Sequence, residues 1–175
     1  KYGIKHIKAL DWWQGTTIKG LKIFFVPAQH FSSRGLTDRM TNLWGGFVIQ
    51  GSPGPIYFAG DTAMAPHFQQ IEKKFGPIYF AMLPIGAYEP RNIMKSSHIN
   101  PAEAVQAFIT LKAKYAIGIH FDTFSGLTDE PFGDAAKKLQ TALSRSKIAK
   151  GLFRVLGFGQ HCILGKSFIC VAARK

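Results

Sequence analysis

The chain has 175 residues, a length that suits one domain. Hydrophobic residues make up 46% and include 15 Phe, while charged residues are only 18%; this supplies a core and excludes an intrinsically disordered chain. No apolar run is long enough to cross a bilayer and there is no signal-peptide pattern. The sequence begins at Lys1 rather than Met, as a piece of a longer protein would. The net charge is +12, and every acidic residue lies at or before Asp134. Beyond it stand Lys137, Lys138, Arg145, Lys147, Lys150, Arg154, Lys166, Arg174 and Lys175 with no acid among them. Such a segment is either a solvated surface or a face for anionic partners such as lipid headgroups. Basic motifs interleaved with aromatics are absent, so no specific nucleic acid is expected.

In chain order, "LKIFFVPAQH" predicts a strand over Leu21–Val26 closed by Pro27. "LWGGFVIQGSPGPIYFAGD" predicts a hairpin with strands at Trp44–Gln50 and Ile56–Ala59 around the turn Gly51–Pro55. Phe68, Ile71 and Phe75 lie at helical spacing, so Pro66–Phe75 reads as a helix. "PIYFAMLPIG" is a continuous apolar run of strand length, expected to be buried on both faces. In "HINPAEAVQAFITLKAK" a helix starts with Asn100 at the N-cap, Pro101 first and Glu103 third, a capping box with Asn in place of Ser or Thr. "YAIGIH" predicts a short buried strand ending at His120. A helix from Glu130 to Arg145 follows, with Phe132, Ala136, Leu139 and Leu143 on one face. "GLFRVLGFGQHCIL" reads as two short strands around Gly157–Phe158–Gly159. Cys162 and Cys170 match no zinc or redox spacing and sit among apolar residues, so they are expected to be buried free thiols of a reducing compartment.

Strands alternating with helices after residue 56 indicate an α/β layered fold. Three strand ends deliver ligand-type residues: His30, Asp61 and His120. Read singly, Asp61 or Thr62 is a helix cap and each His a structural residue. Read together, imidazole and carboxylate at successive strand ends suit a metal-dependent hydrolytic centre. The residue pattern by itself leaves both open.

The ordered set "FAGDT", "IGAYEPR", "MKSSHINPAEAV" and "AIGIHFDTF" resembles the metallo-β-lactamase superfamily. More narrowly it resembles the branch of phospholipases D that hydrolyse N-acyl-phosphatidylethanolamine; "KHIKALDWWQ" and "VPAQHFSSRG" extend the likeness over nearly the whole chain. The resemblance implies an αββα sandwich of two similar halves with a two-zinc centre between them. It implies that His30 and His120 each ligate a metal, that Asp61 bridges both, and that a hydroxide between the metals attacks a phosphodiester. His98 matches a histidine that lines the family's site, expected at the cleft rim as a donor to a phosphate oxygen or the leaving group. Thr62 is then left to start the helix. The H-x-H-x-D-H signature that supplies the other ligands is absent, and His6, His67 and His161 stand alone as structural or surface residues. The match therefore resembles only the second half of the fold: a mixed sheet with helices on one outer face.

The implied function is a metal-dependent phosphodiesterase on phospholipids, cytoplasmic or peripheral to a membrane. Trp12, Trp13, Phe31, Trp44, Tyr88 and Arg91 would face acyl chains or headgroup, or pack. The alternatives are a non-catalytic binding or assembly module and a lactonase or nuclease of the same superfamily. A half-fold leaves one sheet face bare, so this chain is expected to form a homo-oligomer.

Overall fold

The computed structural model describes residue 3 and residues 5–124, 126–165 and 167–171. Lys166, Arg174 and Lys175 of the basic tail lie outside the described residues.

Seven strands form one mixed sheet in chain order: β1 (Gly15–Ile18), β2 (Leu21–Pro27), β3 (Gly45–Gln50), β4 (Ile56–Phe58), β5 (Phe80–Pro84), β6 (Tyr115–Ile119) and β7 (Phe153–Arg154). The first four are antiparallel, with Phe25 opposite Phe47 and Phe47 opposite Phe58. From β4 to β7 the pairing is parallel. Parallel neighbours need crossovers, supplied by α1 (His67–Phe75), by α2 (Arg91–Met94) with α3 (Pro101–Thr110), and by α4 (Asp134–Ser144). Crossovers of one hand along a sheet that advances one way put these helices on one face. Phe68 and Ile71 of α1, Ala104 and Phe108 of α3 and Leu139 of α4 accordingly share a core with Val48, Tyr57, Leu83 and Ala116 of the strands. The α/β class and the mixed sheet covered by helices on one face are as the sequence predicts.

Local signals explain the best-formed elements. The Asn100 side chain accepts from Glu103 N at 2.8 Å, and Glu103 Oε2 accepts from Asn100 N at 2.9 Å, which closes the capping box.

Two expectations fail. The last helix starts at Asp134 rather than Glu130, because Gly133 takes a left-handed φ of 79° and Glu130 is committed to the preceding loop. Phe132 therefore lies outside the helix and is exposed. At the C-terminus, two short strands flank Gly157–Gly159 as predicted, β7 and β8 (His161–Leu164), but they join different sheets: β8 pairs with β9 (Phe168–Val171) in a separate hairpin. Cys162 and Cys170 are directly opposed in that hairpin and form a disulfide, so they are not free thiols and give no support to a reducing compartment. The hairpin's Phe168 packs with Phe80 and Tyr115, and Leu164 joins them, covering part of the sheet face opposite the helices. Among the described residues, no helix is long and apolar enough to cross a membrane.

Candidate metal centre

β2, β4 and β6 run in one direction, since two antiparallel pairings separate β2 from β4 and two parallel ones separate β4 from β6. The residues that follow them emerge at the same sheet edge, the usual location of ligand clefts in open α/β sheets. There the structure brings His30, Asp61, His98 and His120 together. His120 Nε2 is 3.3 Å from Asp61 Oδ1. His30 Nε2 is 3.4 Å from His98 Nε2, and the His98 and His120 rings lie 5.4 Å apart between centroids. His120 has a left-handed φ of 57°, as does Asp122 at 53°, so the chain turns sharply as it leaves β6.

The hydrogen bonds fix the tautomers. His30 Nδ1 is 2.7 Å from the Phe31 carbonyl, which can only accept, so Nδ1 carries the proton and Nε2 presents a lone pair. His98 Nε2–H then donates to that lone pair, leaving His98 Nδ1 unprotonated; this nitrogen is buried with no partner. Burial and the neighbouring His30 and His120 lower the His98 pKa to about 4, so the ring is neutral at pH 7. His98 is 8% exposed and touches both other imidazoles, so it occupies the middle of the cluster rather than the rim.

Trp44 serves two members of the cluster. Its ring stacks on His30 at 4.7 Å, and its Nε1–H donates to the Asp61 carbonyl at 2.9 Å. The Trp12 indole donates to the Trp44 carbonyl at 2.8 Å, while Trp13 packs against the core. Tyr88 is buried and donates to Asp134 Oδ2 at 2.6 Å. Arg91 pairs with Glu103 and donates to the His98 carbonyl at 2.8 Å, so it supports the His98 segment. Phe31 lies under the Arg39 guanidinium beside His30.

Sequence reasoning missed Glu130. Its carboxylate accepts from the backbone N–H groups of Ala87, Tyr88 and Glu89, locking the loop after β5. Burial pushes its pKa up, but the Thr128 side chain and the backbone N–H groups outweigh this and hold it below the usual carboxylate value. Glu130, His120, Phe121, Phe124 and Leu127 line a cavity of about 140 Å³ beside the cluster.

The donor set fits a metal ion in part. Neutral imidazoles and a carboxylate are the correct chemistry, and the bond from His30 Nδ1 to a carbonyl is the support that metal-binding histidines use. Among the described residues, however, no three of these side chains close into a coordination shell. A complete shell needs further donors.

His67, expected to be a structural or surface residue, is buried, and burial lowers its pKa to about 4. In the unfolded chain His67 titrates near the ordinary imidazole value of 6.5, so below that pH the unfolded chain binds the extra proton. Stability is therefore expected to fall as pH drops from 6.5 toward 4, by at most about 3 kcal/mol from this residue. Denaturant melts at pH 7 and pH 5 check this: His67→Gln should remove much of the acid sensitivity, and an unchanged pH dependence contradicts it.

Comparisons with known proteins identify the family. Residues 3–121 match the Beta-lactamase superfamily domain. The chain is 39% identical over 143 residues to N-acyl-phosphatidylethanolamine-hydrolyzing phospholipase D 1 of Caenorhabditis elegans, covering 79% of this chain and 40% of that protein. It is 34% identical over 145 residues to the mitochondrial N-acyl-phosphatidylethanolamine-hydrolyzing phospholipase D of Saccharomyces cerevisiae, covering 79% of this chain and 31% of that protein. The chain thus spans well under half the length of these relatives. A metallo hydrolase from the archaeon Ignicoccus hospitalis shares the fold with a TM-score of 0.60 at 21% identity, over 98% of this chain and 63% of that one. The match covers all three strands that lead to His30, Asp61 and His120, and on that ground the chain belongs to the beta-lactamase superfamily.

Proposed function

We propose that these 175 residues are the second half of a metal-dependent hydrolase, a phosphodiesterase acting on N-acyl-phosphatidylethanolamine-like phospholipids. The observation that carries the reading is the convergence of His30, Asp61, His98 and His120 at one sheet edge in a chain of this superfamily. The names of the worm and yeast relatives support the substrate class. The missing donors would come from a half that carries the H-x-H-x-D-H signature, which this sequence lacks.

In this reading His30 Nε2, Asp61 and His120 Nε2 would hold zinc, two ions in the complete enzyme. Bound zinc would act as a Lewis acid that activates water and offsets charge on the phosphoryl oxygens. Trp44 holds the His30 ring and the Asp61 backbone in place. His98, neutral at pH 7, donates to the His30 Nε2 lone pair in this structure; with that lone pair on zinc, its N–H would be free for a phosphoryl oxygen or the leaving group. The apolar walls of the neighbouring cavity, Phe121, Phe124 and Leu127, suit an acyl chain. The basic residues after Asp134 suit an anionic membrane surface.

The test is phosphodiester hydrolysis of N-acyl-phosphatidylethanolamine vesicles, with zinc measured on the same samples, by the 175-residue chain alone and by a longer protein that includes an H-x-H-x-D-H half. Activity is expected only in the longer protein. There His98→Ala is expected to lower turnover about 100-fold or more, as loss of a proton-transfer or donor group does, while zinc content changes little. Zinc lost in proportion to activity makes His98 a ligand instead. Zinc-independent hydrolysis, or none in either protein, removes the reading.

A further inference from the structure

Thr62 does not start α1. The residue before that helix is Pro66, and no side chain caps it. Thr62 is instead fully buried, at 0% exposure, behind the cluster. Its Oγ1 accepts from Gln29 N at 2.9 Å, donates to the Ala63 carbonyl at 2.9 Å and lies 3.3 Å from His67 Nε2. Its carbonyl accepts from Ile99 N at 2.8 Å, and Ala63 N donates to the Gln29 carbonyl at 2.8 Å. Gln29 precedes His30, Ile99 follows His98, and Thr62 itself follows Asp61. One buried residue thus ties together the three segments that carry three of the four clustered side chains.

We propose that Thr62 is a positioning residue: its hydroxyl and its carbonyl set the places of His30, Asp61 and His98 together, with His67 orienting the hydroxyl. A hydroxyl has one proton and two acceptor sites. With the proton on the Ala63 carbonyl, both remaining contacts must be donors, so His67 donates from Nε2. His67 Nδ1 is then unprotonated, and it is buried without a partner. Among the described residues the Thr62 hydroxyl is the one polar partner of this ring, which sits in a core where an apolar residue would fill the space, so the ring is committed to that contact. Thr62 acts through its neighbours and touches no reacting group.

The effect on zinc rests on the hydrolase reading; the effect on ring placement does not. The experiment therefore reads both in the longer protein: zinc affinity by competition with a chelating dye, and the imidazole nitrogen signals of His30 and His98 in the zinc-free state. Thr62→Val keeps the shape and deletes the hydroxyl; Thr62→Ser keeps the hydroxyl and deletes the methyl. Thr62→Val is expected to weaken zinc binding about 10- to 100-fold, the usual cost of losing a residue that supports a ligand, and to shift both imidazoles. Thr62→Ser is expected to stay near wild type in both. The reverse order, with Ser worse than Val, assigns Thr62 to packing and overturns the proposal. Should the wild type bind no zinc, the hydrolase reading falls and the imidazole signals alone decide; signals unmoved in folded Thr62→Val overturn the proposal. Should Thr62→Val not fold, His67→Leu takes its place, removing one of the hydroxyl's three bonds. Shifted His30 and His98 signals in His67→Leu support the proposal, and unshifted ones overturn it.

Discussion

In the longer protein, Asp61→Asn is expected on the proposed hydrolase reading to abolish zinc binding and to lower phosphodiester hydrolysis about a thousandfold or more, a barrier increase of about 4 kcal/mol. The substitution is nearly isosteric and leaves the fold's own use of this residue intact. The Asp61 carbonyl, not its carboxylate, takes the Trp44 indole bond. The carboxylate instead reaches across the sheet edge to His120 Nε2, where an amide has neither the charge nor the basicity that a divalent cation requires. Loss of a Lewis acid removes several kcal/mol of transition-state stabilisation, which sets the size of the effect. The zinc-free variant should melt close to the zinc-free wild type. A variant that retains zinc and turnover shows that Asp61 is not a ligand. One that loses both along with its fold shows that the carboxylate has a structural duty beyond the His120 contact.

The sequence made the frame legible where one physical rule acted alone. The capping box of α3, the turn-bounded hairpin of β3 and β4, and the apolar run of β5 each form through local chemistry, and each appears where predicted. It misled where tertiary contacts override local signals. Apolar periodicity extended α4 back to Phe132, but Gly133 and the binding of Glu130 to three backbone N–H groups stop it. The spacing of Cys162 and Cys170 carries no signature, because a cross-strand disulfide depends on a hairpin register that only the fold establishes. In the site, His30, Asp61 and His120 were visible as strand ends. Thr62, His67 and Glu130 were not, because a residue that works through a neighbour's backbone or hydroxyl leaves no spacing pattern. The cost of burying His67 amid apolar residues would mark it, but burial is not readable from one sequence.

We propose that the 175-residue chain by itself forms a homodimer through the sheet face opposite the helices. The disulfide hairpin already covers the β5 and β6 part of that face, so the bare region is smaller than a half-fold without the hairpin would leave. What remains is β1 to β4, where Ile18, Leu21, Phe47 and Phe58 are each at least 39% exposed and the Phe25 ring packs at a tilt against Phe47 across the strands. Four strands about 4.8 Å apart and about 17 Å long project roughly 300 Å² per copy, or roughly 600 Å² per pair. Stable specific interfaces bury about 1,200 Å² or more, so a micromolar or weaker dimer is expected rather than a permanent one. The charge works against it: each copy carries +12 at neutral pH, and salt screens that repulsion. Association should therefore strengthen as sodium chloride rises from 0.05 M to 0.5 M, conditions that span Debye lengths from about 14 Å to about 4 Å. Sedimentation velocity across a dilution series at both salt levels tests this, with Phe47→Lys expected to return a monomer throughout. A wild-type monomer at every concentration and salt level removes the proposed dimer. A dimer that Phe47→Lys does not disrupt places the contact on another surface.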